Sequence, residues 1–230
     1  EDLIASAQAR RKVIFPNALP PASTFDPRLP TTVMPGHQKP VAVSQIDPGP
    51  LPDDEADIAY SPVTHLSEWI RSGKISSRRL TGIYIDRIKA LGPKLECFVT
   101  VLEDLALEQA DEADRKIANG QYLGPLHGIP YGLKDLFDTK DIQTTWGAMP
   151  YKDRIGEKDA RIATLLREAG AVLVAKTTLG ALAYGDIWFG GVTRNPWNVA
   201  EGASGSSAGS ASATAAGLVG FSIGTETLGS

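Results

Sequence analysis

From Gly202 to Gly217 every residue except Thr214 is glycine, serine or alanine, and this run passes directly into the apolar stretch LVGFSI, 218–223, and then into GTETLGS, 224–230. Small side chains let backbone N–H groups and hydroxyls approach a bound group without obstruction, so such a segment suits an oxyanion hole or a phosphate cradle. Across 201–230 the only charges are Glu201 and Glu226, and neither GxxxxGK[ST] nor GxGxxG occurs there. Phosphate binding is therefore a poor reading, and serine chemistry remains. The plain alternative is a flexible Gly/Ser linker. A linker, however, is not followed at once by a buried element: residues 211–216 can form a helix that Gly217 stops, and 218–223 reads as an inner strand. Gly205, Ser207 and Gly209 also satisfy GxSxG, which would make Ser207 a nucleophile on a strand-to-helix elbow. That motif needs a hydrophobic strand before it and a histidine after it. Residues 194–203 are polar and contain Pro196, and His37, His65 and His127 all lie upstream.

A second stretch, GPLHGIPYGLKDLFD at 124–138, bears on the same chemistry. Read as a strand, 129–135 turns Ile129, Tyr131 and Leu133 one way and Pro130, Gly132 and Lys134 the other, so the lysine lies beside small residues that leave space. A lone lysine is ordinarily a solvated surface residue. In a pocket, burial lowers its pKa and leaves an amine able to accept a proton. His127 is the alternative base.

The pattern SSxGSxxxxAAG at 206–217, followed by GTxTxGS at 224–230 and preceded by the lysine stretch, resembles the amidase signature family from about Ser61 to the end. The resemblance implies an α/β fold, the amidase signature fold, with a mixed sheet flanked by helices on both faces, of which this chain holds the N-terminal portion. It implies an amide hydrolase acting on carbon–nitrogen bonds other than peptide bonds through a Ser-cisSer-Lys triad. Lys134 would be the base, Ser206 the bridging serine beside a cis peptide bond, and Ser230 the nucleophile that forms an acyl-enzyme. The backbone N–H groups of Thr227, Leu228, Gly229 and Ser230 would form the oxyanion hole, with Ser207, Thr225 and Glu226 as the supporting network. No metal and no organic cofactor is implied, and the partner is a small-molecule amide, or an ester by the same route. Within the family the alternative is the amidotransferase subunit that receives ammonia from glutamine and modifies charged transfer RNA. A catalytically dead scaffold member is a third reading. Four positions depart from the family pattern: Ser204 and Ala208 replace common glycines, Glu226 replaces aspartate, and Leu228 replaces a frequent glycine.

The bulk of the chain fits an ordinary globular protein. Of its 230 residues, 23 are Lys or Arg against 27 Asp or Glu, and the net charge of −4 argues against nucleic acid or an anionic membrane as the main partner. No apolar run is long enough for a membrane span. The one cysteine, Cys97, forms no internal disulfide and reads as a small core residue, and the scattered histidines give no zinc-ligand spacing. Glu1 in place of Met leaves the compartment open, a soluble cytoplasmic protein being favoured; a homodimer is also left open. Most of the 16 prolines fall before Val63, so residues 1–60 are expected to be a Pro-rich arm or extension whose one helix-like piece is 2–13. Residues 61–230 are expected to form the N-terminal part of the domain.

In that part Leu66, Trp69 and Ile70 mark a short helix ended by Gly73. Leu80, Ile83, Tyr84, Ile88 and Leu91 mark a longer one stopped at Gly92-Pro93. A strand at 97–102 precedes a helix at 103–118 with Ala106, Ala110, Ala113 and Ile117 inside. Asp159 is expected to cap a helix carrying Ile162, Leu165 and Leu166, ahead of a buried strand at 171–175. Domains of the resembled family are longer than the stretch after Ser61, which leads to the expectation that residues 1–230 alone are not an active enzyme; amide hydrolysis by purified 1–230 would refute it.

Overall fold

The computed structural model describes residues 46–230, with isolated earlier positions at 8, 9, 12, 31 and 33. The helix expected at 2–13 and most of the Pro-rich arm lie outside the described residues. Where continuous description begins, the chain soon becomes regular: Glu55–Ala59 is a helix, α1, whose N-cap Asp54 accepts the Ala56 N–H at 2.7 Å. Ile58 in α1 is fully buried, in one cluster with Leu66, Trp69, Ile70, Leu80 and Tyr84. Packed structure thus starts before position 61, in a helix too short to display a 3.6-residue period.

Helices α2 (Val63–Arg71) and α3 (Ser77–Leu95) bury the expected apolar faces. Gly92-Pro93 does not stop α3. Gly92 serves close packing, since a β-carbon there would stand 3.3 Å from Phe98 Cδ2. Pro93 occupies the last turn, and the helix ends at Glu96, left-handed at φ 48°, whose N–H closes on the Gly92 carbonyl. Strand β1 (Phe98–Val101), helix α4 (Glu103–Ala118), strand β2 (Pro130–Lys134), helix α5 (Arg161–Glu168) and strand β3 (Val172–Thr177) follow. Asp159 does not cap α5. Ala160 holds the N-cap position, while the Asp159 carboxylate accepts the Lys140 N–H at 2.8 Å and pairs with Arg167. Leu165, expected inside, is exposed, because α5 buries only Ala163 and Leu166.

Two small hairpins come next, β4 (Ile187–Trp188) with β5 (Gly191–Val192), and β6 (Arg194–Asn195) with β7 (Asn198–Gly202). Helix α6 (Ala208–Ala215) begins earlier than expected, and β8 (Phe221–Ile223) is shorter than 218–223. Leu218 and Val219 are buried but unpaired in the sheet; the Leu218 N–H returns to the Ala213 carbonyl, wrapping the end of α6 around Gly217 at φ +61°.

The main sheet has the order β1-β3-β2-β8, with β1 antiparallel to β3 and the other pairs parallel. Helices cover both faces. α5 packs with Tyr131, Leu133 and Leu173, and residues of α3, α4 and α6 join Val172 and Val174 on the other side. The architecture is the mixed α/β sheet expected.

One irregularity decides where charged groups go. Tyr131 pairs with Leu173 but the next residue, Gly132, pairs with Ala175, so β3 carries one extra residue at Val174. The bulge shifts the phase of β3. Lys176 comes opposite Leu133, and Thr177 comes opposite Lys134. The two lysines therefore occupy opposite faces of the sheet. No helix among the described residues is long and apolar enough to cross a membrane.

Candidate active site

Lys134 is the last residue of β2, and β2 and β8 are parallel, so both strands deliver their carboxyl ends to the same edge of the sheet. Helix α6 starts there too, with Ser207 in the N-cap position and Ser206 just before it. Open edges of this kind are where α/β sheets gather functional groups. Glycines make the approach possible. A β-carbon on Gly132 would lie 2.7 Å from Thr177 Cγ2, and one on Gly224 would lie 2.8 Å from Ser207 Oγ.

The Lys134 side chain is fully buried and its Nζ donates to three hydroxyls: Ser206 Oγ at 2.7 Å, Ser207 Oγ at 2.9 Å and Thr225 Oγ1 at 2.6 Å. Hydroxyls both donate and accept, so this shell suits an ammonium or a neutral amine. Among the described residues no carboxylate bonds it. Burial pushes the Lys134 pKa down to about 8, against a weaker upward pull from Glu226. Ser207 is tied further, accepting the Thr225 N–H at 3.1 Å and donating to the Thr225 carbonyl at 3.2 Å. Ser206 is buried, follows a cis peptide bond from Gly205, and makes no other hydrogen bond among the described residues. Behind it, Thr177 Oγ1 and Ser210 Oγ lie 2.8 Å apart, and Ser210 donates to the Ile223 carbonyl at 3.1 Å.

Of the residues expected at the site, the structure brings together Lys134, Ser206, Ser207 and Thr225. Ser230 is half-buried, and among the described residues no hydrogen bond joins it to Ser206 or Lys134. Thr227 and Leu228 are exposed, and the Gly229 N–H is donated to the Glu226 carboxylate. Ser204, one of the departures from the family pattern, has φ +61°, a left-handed conformation that favours glycine.

His127 is at the other end of β2, where its ring abuts Gly170 and its Nδ1 accepts the Leu123 N–H at 3.0 Å. The elbow reading of Ser207 fares no better, since the strand before it, β7, is exposed along its length. Cys97 is fully buried and its thiol is pushed up to about 12 by burial, as befits a core residue.

Sequence reasoning missed one charged pair. Lys176 Nζ lies 3.0 Å from Asp135 Oδ1, with both side chains fully buried. It donates to the Phe137 carbonyl and Thr144 Oγ1, each at 2.9 Å, while Asp135 Oδ2 accepts the Thr145 N–H at 2.7 Å and its hydroxyl at 2.5 Å. Only the adjacency of Asp135 to Lys134 hinted at it.

Fold and site together define an α/β protein whose buried lysine–serine cluster sits at the carboxyl edge of a mixed sheet. A family model described as Amidase matches residues 79–230, and the chain belongs to the amidase signature family. It is 41% identical over 172 residues to a glutamyl-tRNA(Gln) amidotransferase subunit from Coxiella burnetii, covering 73% of this chain and 35% of that protein. Among solved structures it resembles the peptide amidase PAM in complex with the competitive inhibitor chymostatin, with 38% identity and a TM-score of 0.67, covering 72% of this chain and 36% of that one. Fatty acid amide hydrolase gives 28% identity and a TM-score of 0.70, over 76% of this chain and 31% of that one. The chain spans about a third of the length of these relatives.

Proposed function

We propose that this chain carries the Lys134–Ser206–Ser230 centre of a serine amidase that cleaves a carboxamide, or an ester by the same route, without metal or organic cofactor. The observation that carries the reading is the 2.7 Å contact between a buried, charge-poor Lys134 and Ser206. With a pKa of about 8, roughly one Lys134 in ten is neutral at pH 7, against fewer than one in a thousand for an ordinary lysine. The neutral amine takes the Ser206 proton as Ser206 takes that of Ser230, and Ser230 Oγ attacks the carbonyl carbon. The proton returns through Ser206 to the leaving nitrogen as the C–N bond breaks. Water then attacks the acyl-enzyme by the same relay and releases the acid. For this sequence, segment 227–230 must close on Ser206. Closure also frees the Gly229 N–H from Glu226, so that it can join Thr227, Leu228 and Ser230 around the oxyanion, where one donor is worth about 3 kcal/mol.

The test is a fluorophosphonate probe on the native protein, with peptide mapping of the adduct. One adduct on Ser230 is expected. An adduct on Ser207 would replace this mechanism with the nucleophile elbow, and no adduct would turn the reading toward a dead scaffold. A second reading, favoured by the 41% identity to an amidotransferase component, is the same centre acting on glutamine to supply ammonia within a complex that modifies charged transfer RNA. Glutaminase activity that rises on adding partner subunits would select it.

A further inference from the structure

We propose that the buried Asp135–Lys176 pair is a positioning device for Lys134, clamping the end of β2 and the loop behind it so that Lys134 and Ser206 stay in contact. The inference rests on reading Lys134 as the base. Asp135 directly follows Lys134 and Lys176 directly precedes Thr177, the residue opposite Lys134 in the sheet. The Asp135 N–H also bonds the Thr177 carbonyl at 2.9 Å, so backbone and side chains lock the same two strand ends. Through the bulge in β3 the pair lies on the face away from the hydroxyl cluster. It supports the site without entering it.

From the pair, connections run on to Ser206. Lys176 and Asp135 together hold Phe137, Thr144 and Thr145, and the Asp135 carbonyl accepts the Trp146 N–H at 3.2 Å. Trp146 and Gly147 in turn accept N–H groups of Leu182, at 2.9 Å, and Phe189, at 3.1 Å. The segment so held includes Gly185, whose carbonyl packs so closely on Gly205 that no β-carbon fits there. Gly205 is the residue before Ser206. A buried ion pair is in itself weak evidence for stability, since apolar replacements of both partners are often tolerated. A role in placing neighbouring groups is one that such replacements would expose.

The experiment is a lysine 13Cε NMR titration of the native protein, with Lys134→Met assigning the resonance and urea unfolding run alongside. The groups facing Lys134 are the hydroxyls of Ser206, Ser207 and Thr225 and the carboxylate of Glu226. In the Asp135→Asn/Lys176→Met double variant the fold is expected to persist. The Lys134 midpoint is expected to rise from about 8 toward the ordinary 10.5 as water reaches a loosened cluster. An unchanged midpoint in the folded double variant would overturn the proposal and leave the pair a purely structural element. Should the double variant not fold, Thr144→Val removes a single Lys176 hydrogen bond and carries the same readout, with a raised midpoint expected and an unchanged one overturning. The measurement needs neither turnover nor Ser230, so failure of the amidase reading shows separately, as a wild-type protein with no Ser230 adduct.

Discussion

Lys134 and Lys176 stand on adjacent strands and opposite faces of the sheet, both fully buried, and they differ in what surrounds the ammonium. Lys176 has a carboxylate at 3.0 Å together with a carbonyl and a hydroxyl. Lys134 has three hydroxyls and, among the described residues, no carboxylate bonded to it. Burial lowers both pKa values, but Asp135 pulls Lys176 back toward its charged form, whereas Lys134 feels only the exposed Glu226. Burial alone therefore does not make a lysine a base. A base needs burial without a counter-ion, with hydroxyls that accept its bonds in either protonation state.

The two lysines should differ most in reactivity. Lys134→Met should reduce the rate of fluorophosphonate labelling at Ser230 by about 10²- to 10⁴-fold, the range for a positioned general base, without the loss of stability that unpairing a buried charge brings. Asp135→Ala should do the reverse to stability: it strands the Lys176 charge inside the protein and should cost about 3–5 kcal/mol, read as a lower urea midpoint. Equal stability losses for the two substitutions would erase the distinction between a paired and an unpaired lysine.

A somewhat smaller effect lies in pH dependence. Lys134 has a lower pKa folded, about 8, than unfolded, 10.5. Between these values the unfolded chain binds the extra proton, so folding stability contributed by this group rises with pH across the window. Below pH 8 the penalty for burying the ammonium is fully present, and above 10.5 it is gone. It amounts to about 3 kcal/mol at most. Urea unfolding of wild type against Lys134→Met at pH 7.5 and pH 10.5 measures it, with the wild type gaining on the variant at the higher pH. No relative gain would mean that Lys134 is not desolvated in solution.

The same contrast explains what was legible in the sequence. The contacts of Lys134 with Ser206 and Ser207 were legible because strand alternation put Lys134 beside Gly132 and the Gly/Ser/Ala run marked a close-approach segment, while the roles expected of these residues came from the family resemblance. Helices α2, α3 and α4 were readable from their apolar faces. Lys176 was not, for two reasons. It ends an apolar run, VLVAK, where a lysine reads as the start of a solvated turn, and the bulge at Val174 changes its face in a way that alternation does not foresee. Of the missed hairpin strands, β4, β5 and β6 have two residues each and β7 is exposed along its length, so none shows an inside–outside period, and Gly92 resembled a helix stop while serving as a contact for Phe98. Spacing records local geometry. It does not record which neighbour a side chain meets.

The smallest effect tests the charge left near Lys134. Glu226 replaces the aspartate usual in the resembled family, and its carboxylate accepts the Gly229 N–H while drawing the Lys134 pKa upward. Glu226→Gln removes the negative charge but keeps an oxygen able to accept that N–H. The sign follows directly: without the anion, burial acts unopposed and the Lys134 midpoint should fall below about 8. Because Glu226 is exposed, solvent and salt screen it, so the fall should be a fraction of a pH unit and should shrink as ionic strength rises. Lys176 has its own carboxylate on the other face of the sheet, so its resonance should not move. A common shift of both lysines in the 13Cε spectrum would mean that Glu226 acts through the packing of the sheet rather than through its charge.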